Sequence, residues 1–209
     1  RLSFKRFLGL TDADKSPDEK TFWAFRETLT KNALIEPLFA LFHGALEAMG
    51  MFARKGQMVD ATFVEVARQR NSREDNATIK AGGVPEGWKD QPPKARQKDV
   101  DARWTKKNGA RHYGYKNHIN ADQANKLVQS YAVSDAAVHD SQVFEELLDQ
   151  TVDAEGKKRA AYADSAYRSK EREQTLAQDG FESHIHEKGT RGHPLTDEQK
   201  TSNRIKSKT

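Results

Sequence analysis

The run Gln57-Met-Val-Asp-Ala-Thr-Phe-Val-Glu-Val66 constrains this chain more than any other stretch. Val59, Phe63, Val64 and Val66 are β-branched or aromatic, so the run predicts a buried β-strand with two largely apolar faces. One carboxylate, Asp60, interrupts it. An ionised carboxylate in an apolar strand is costly unless a cation, a donor or a metal meets it. A second strand-like run, Lys158-Arg-Ala-Ala-Tyr-Ala-Asp164, ends in another carboxylate. The two runs suggest a scaffold that brings Asp60 and Asp164 together around a divalent metal.

The bulk properties set limits. A length of 209 residues suits one ordinary domain with a small helical partner. Hydrophobic residues make up 35% and the mean hydropathy is −0.92, so long solvated loops are expected. The chain has no cysteine, which excludes disulfides and thiolate metal sites. No apolar run reaches membrane-spanning length and no signal peptide is visible, so no membrane partner and a cytoplasmic setting are expected. The first residue is Arg1 rather than Met, which suggests a fragment.

A net charge of +4 conceals a strong segregation. Residues 68–118 carry 13 Lys and Arg against 6 Asp and Glu, residues 119–187 carry 7 against 14, and residues 188–209 carry 6 against 2. Basic segments flanking an acidic core suit a protein that holds a polyanion beside a metal site. Charge runs also occur as plain solvated loops, and the counts alone leave both readings open.

Ser16-Pro-Asp-Glu19 predicts a helix start with Ser16 as cap, and a second helix is expected from about Ile35 to Met49. These define a helical N-terminal region, residues 1–56, suited to packing, dimerisation or DNA binding. The remainder, 57–209, forms the main domain. Residues 68–110 read as a long basic insertion without clear period, in which Trp88 and Trp104 suit contacts with bases. His112–Ile119 and Leu127–Val133 predict a hairpin. Asp140 is the expected cap of a helix through Val143, Phe144, Leu147 and Leu148. After the Asp164 strand come a polar helix from about Ser169 to Gln178, a last strand over Phe181–His186, and a capping box at Thr196–Gln199 that opens a basic helix.

An antiparallel meander followed by strands alternating with helices is the order of an α/β, ribonuclease-H-like mixed sheet with flanking helices. In that order Asp60 falls on the first strand and Asp164 at the end of the fourth. Two such carboxylates suit Mg²⁺ (or Mn²⁺), which prefer oxygen ligands. A two-metal site needs no side-chain nucleophile. His184 and His186 share a strand face in the manner of zinc ligands, but no cysteine and no third ligand accompany them. His139 and Asp140 could form a supporting pair. Tyr167 and Arg168 follow the second acid, where they could touch a phosphate or simply start a helix. Arg103, Lys106, Lys107 and Arg111, with Lys116 and Arg168, are the expected contacts to the DNA backbone.

Val59-Asp-Ala-Thr62 resembles the first-acid motif of DDE transposases from bacterial insertion sequences, of the insertion sequence 5 and insertion sequence 4 types. Asp101–Gly109 with His112–His118, Ala132–Ser141, Ala163-Asp-Ser-Ala-Tyr-Arg-Ser169, Ser183–His186 and Pro194–Lys200 resemble successive blocks of the same group. Phe4–Leu10 and the helix pair resemble its upstream region. The resemblance implies cutting and joining of DNA at terminal inverted repeats, target DNA as a second partner, a homodimer, location at the bacterial nucleoid, and Asp60 and Asp164 as metal ligands. It also implies a third acid, a Glu expected beyond Thr209. Two rivals stay open: a ribonuclease-H-like nuclease without strand transfer, and a catalytically dead DNA-binding remnant.

Overall fold

The computed structural model describes residues 2–107, 109–152 and 156–208, which fall into two compact units, 1–51 and 52–209. The boundary lies five residues earlier than the strand start suggests. The first unit holds α1 (Leu2–Phe7), α2 (Glu19–Lys31) and α3 (Ile35–Ala48). The cap of α2 is Asp18, whose carboxylate accepts from Thr21 N at 2.7 Å, rather than the expected Ser16. Ser16 falls two residues too early to reach the first free amides. Among its described residues none is buried, and Phe22, Trp23, Phe25, Leu41 and Phe42 are all more than half exposed.

The second unit is built on a five-stranded mixed sheet. Its elements in order are β1 (Gly56–Glu65), α4 (Arg73–Lys80), α5 (Glu86–Lys89), α6 (Pro92–Arg96), β2 (Arg103–Lys107), β3 (Ala110–Asp122), β4 (Val128–Asp135), α7 (Phe144–Leu147), β5 (Ala160–Tyr162), α8 (Lys170–Gln178) and α9 (Asp197–Lys206). β1 and β4 both pair antiparallel with β3, and β5 pairs parallel with β1. The meander and the parallel crossover expected from the element order are both present.

Several local expectations need correction. Residues 68–110 are not irregular: they hold α4, α5, α6 and β2. Ser72 and Asp75 form a capping box at α4, and β2 pairs with the start of β3. The segment shows no period because each helix is shorter than three turns. Asp140 does not cap a helix. His139 caps a single 3₁₀ turn there, and α7 is only four residues long. The expected strand Phe181–His186 reduces to one bridge, Ser183 with Ala161, supported by His184 N donating to Ala161 O at 2.8 Å and His186 N to Ala163 O at 3.1 Å.

The apolar core lies on one side of the sheet. Val59 and Ala161 face Phe144, Leu147, Leu148, Leu176, Phe181 and Ile185 from α7, α8 and the segment after it. Beside it runs a buried polar seam. Gln57, His118, Asn120 and Asp122 have no exposed surface, and in the β1–β3 register Gln57 stands opposite Asp122 and Val59 opposite Asn120. Asn120 Nδ2 donates to Gln57 Oε1 and to Leu147 O, both at 2.8 Å. Gln57 Oε1 also accepts from Asp149 N at 2.8 Å. The Asp122 carboxylate accepts from Arg54 N at 3.1 Å and Asn125 N at 2.8 Å. These bonds replace the apolar contacts that a chain of this hydropathy lacks. Gly114, at φ 145°, lets β3 pass the Val64 carbonyl, with which a Cβ would collide.

Asn120→Ala removes one donor from two buried acceptors at once. It should lower unfolding stability by about 2–4 kcal/mol, read as a fall in the urea midpoint with an unchanged slope.

Candidate active site

The parallel pairing of β1 with β5 sets the two carboxylates side by side. Met58 stands in register with Tyr162, and Asp60 and Asp164 each follow two residues later. Neighbouring strands run about 4.8 Å apart. Both acids open onto one cleft of about 320 Å³, whose further walls are Met58, Tyr162, His184 and His186, with Lys206 and Ser207 from the end of α9.

Asp60 is exposed, contrary to the buried position expected of it. The helices cover the Val59 side of β1, while the side bearing Asp60, Thr62 and Val64 stays open. Asp60 Oδ1 accepts from Ala61 N at 2.8 Å. Asp164 Oδ1 accepts from Ala166 N at 2.8 Å and caps the 3₁₀ turn Ser165–Tyr167. Among the described residues neither carboxylate has an ion pair, and neither Oδ2 has a hydrogen-bond partner. Two unneutralised carboxylates facing one cleft fit a hard, oxygen-seeking cation. Among the described residues, no three His, Asp or Glu side chains form a group that could hold a metal.

Tyr167 is 1% exposed and packs on Phe144 with ring centroids 5.4 Å apart. Its hydroxyl has no partner among the described residues. Burial, reinforced by the charges of Asp140, Asp60 and Asp164, raises its pKa and keeps it protonated. It does not reach a phosphate at the surface. His184 stacks on Tyr162 at 4.6 Å and pairs with Glu182 at 2.9 Å. His186 Nε2 lies 3.4 Å from Ser207 Oγ. Both histidines line the cleft, and among the described residues they belong to no group of three that could hold a metal.

The six basic residues expected at DNA separate into two groups. Lys106, Lys107 and Arg111 are exposed at the β2–β3 hairpin, and Arg103 is half-buried with Nη1 on the Val100 carbonyl at 2.6 Å. Lys116 is only 7% exposed. It donates to Val138 O at 2.6 Å and meets Asp140 Oδ1 at 2.7 Å as an ion pair, so its charge is held inside the fold. Lys107 lies 3.7 Å from the other Asp140 oxygen. Arg168 is likewise engaged internally, with Ile185 O at 2.9 Å, Glu173 at 3.3 Å and Glu187 at 3.1 Å. Trp88 is buried, with Lys98 over its ring.

His118, beside this ion pair, was not singled out by the sequence. Its Nε2 lies 2.8 Å from Ser134 Oγ, whose proton goes to Asp135 O. Nε2 therefore carries the hydrogen, and Nδ1 is left without a partner among the described residues. Burial lowers its pKa, and the nearby Asp140 only partly opposes that.

The sheet thus carries Asp60 on β1 and Asp164 just past β5 at one cleft, and exposed basic residues at the β2–β3 hairpin further along β3. Residues 52–209 match the family described as "Transposase DDE domain", and the chain belongs to that family. It is 31% identical over 194 residues to a protein described as the transposase for insertion sequence element IS1106 of Neisseria meningitidis serogroup B. That match covers 90% of this chain and 62% of the relative, so the chain spans less than two thirds of the relative's length. No solved structure is significantly similar.

A histidine that stays neutral when folded destabilises the fold on acidification, because the unfolded chain binds the proton that the folded chain refuses. Stability should therefore hold above the unfolded pKa of 6.5 and fall below it, by at most about 1.4 kcal/mol per pH unit. His118→Gln should remove this part of the pH dependence in chemical denaturation between neutral and mildly acidic pH.

Proposed function

We propose that this chain is the catalytic domain of an insertion-sequence transposase that cuts and joins DNA at the element's ends by phosphodiester hydrolysis and transesterification. The observation that carries this reading is the pair Asp60 and Asp164, unneutralised and facing one cleft from adjacent parallel strands. The pairing of β1, β3 and β4 with β5 parallel to β1 supports a ribonuclease-H-like sheet. Asp60 and Asp164 are the residues that hold Mg²⁺ or Mn²⁺. Held there, the ion would supply Lewis-acid chemistry for phosphoryl transfer.

The protein's part is placement. The backbone N–H of Ala61 and that of Ala166 each fix one oxygen of an acid and leave the other toward the cleft. Lys106, Lys107 and Arg111 carry the DNA backbone, with Arg103 behind them. Lys206 donates to Ile185 O at 2.8 Å and Asn203 bonds the Glu187 backbone, which docks the end of α9 against the cleft. A third carboxylate belongs at that helical end. Joining two element ends calls for two copies of the chain, so the active form is a homodimer.

Asp60→Asn and Asp164→Asn keep the local amide contacts and remove the charge. With a plasmid carrying the element's ends and Mg²⁺, each substitution should reduce nicked and joined products by about a thousandfold or more, while salt-sensitive DNA binding persists. Equal products from wild type and both variants would refute the reading. Cleavage without joining would reduce it to a nuclease.

A further inference from the structure

Two cations and two acceptors close a ring beside the cleft. Arg168 Nη1 donates to Ile185 O at 2.9 Å, and its Nη2 meets Glu187 Oε2 at 3.1 Å. Lys206 Nζ donates to the same Ile185 O at 2.8 Å and lies 3.6 Å from Glu187 Oε1. We propose that Glu187 is a positioning residue for the Asp60–Asp164 site, its carboxylate tying the turn that carries Asp164 to α9. The proposal rests on the cation-site reading above and deepens it.

The segment 185–187 brackets the second acid. On one side of Asp164, His186 N donates to Ala163 O at 3.1 Å. On the other, Asp164 caps the 3₁₀ turn Ser165–Tyr167, Arg168 closes that turn, and Glu187 holds the Arg168 guanidinium. Tyr167, within the turn, is buried against Phe144. The turn is therefore fixed by the core at Tyr167 and by Glu187 at Arg168. A shift of Glu187 reaches the backbone on both sides of Asp164.

Toward α9 the contact is a clamp. Asn203 Oδ1 accepts from Glu187 N at 2.7 Å, and Asn203 Nδ2 donates to Glu187 O at 3.1 Å. One side-chain amide of the helix thus takes both polar groups of the Glu187 backbone. Three and four residues on, along the same helix face, Lys206 and Ser207 wall the cleft. Ser207 Oγ lies 3.4 Å from His186 Nε2.

The Glu187 carboxylate holds rather than ligates. Each of its oxygens already faces a cation, and its side chain is 20% exposed, against 25% for Arg168 and 14% for Lys206. Ion pairs at this depth are little screened by salt. Without the carboxylate, Glu173 still meets Arg168 at 3.3 Å, while Lys206 keeps only the Ile185 carbonyl among the described residues. Two cations then share one carbonyl and repel, and α9 and the Asp164 turn lose their common anchor. Outer groups that orient metal ligands in this way change metal affinity about 10–100-fold when altered.

The test is Mn²⁺ binding by the full chain, read from paramagnetic broadening of the amides near Asp60 and Asp164. Glu187→Gln should weaken it about tenfold. Asn203→Ala, which frees the Glu187 backbone without changing net charge, should weaken it in the same direction. In the metal-free Glu187→Gln chain the amides of residues 164–168 and 203–207 should shift together. A lower urea midpoint with wild-type Mn²⁺ affinity in both variants would make Glu187 structural only, overturning the inference and leaving the cation site intact. Weakening by Glu187→Gln alone would mark a charge effect at a distance and overturn it too. If Glu187→Gln does not fold, Asn203→Ala decides by itself: wild-type affinity overturns the inference, and a several-fold loss upholds it. Mn²⁺ that broadens neither acid's segment in the wild type overturns the cation-site reading and the inference together.

Discussion

Pairing of β1 with β3 through a buried polar seam is the constraint on which the rest of the domain depends. Asn120 reaches Gln57 and the Leu147 carbonyl from β3, and Gln57 reaches the Asp149 backbone from β1. Two strands and the turn that follows α7 are thereby tied by bonds that have no water to replace them. In a buried position such bonds are directional and costly to leave unmade. They specify one register, and in a strand a slip of one residue would turn every side chain to the opposite face.

That register decides where Asp60 points. With Gln57 and Val59 committed to the covered side, Asp60 must face the open side, and the parallel pairing with β5 brings Asp164 beside it. The same alternation puts the Lys116–Asp140 pair and His118 beneath the sheet and Trp104, Lys106 and Arg111 on its open side. Membership in the transposase DDE family fits this division. The two acids face outward on a sheet whose inner side is held by polar hydrogen bonds as well as by apolar packing.

The strand at 57–66, the helix from about Ser169 and the capping box at Thr196 were legible because each depends on local chemistry: β-branched runs and hydroxyl caps. The reason offered for Asp60 was mistaken, since the strand has one covered face and not two. β2 and the short helices of 68–110 were not legible, because elements of four to eight residues leave no period. Lys116 and Arg168 read as free cations because their partners, Asp140, Glu173 and Glu187, are set by tertiary contacts. Gln57, His118 and Asn120 gave no signal, since burial of a polar side chain is a property of the folded register and not of composition.

The central claim is that Asp60 and Asp164 form one cation site. Titration of the isotopically labelled chain with Mn²⁺, followed by paramagnetic broadening of its amide resonances, tests it most directly. The account predicts that residues around 58–62 and 162–166, with His184 and His186, broaden together at the lowest Mn²⁺ concentrations, and that Asp60→Asn abolishes the effect at both segments. Broadening that begins elsewhere, or that survives at Asp164 when Asp60 is changed, would contradict it.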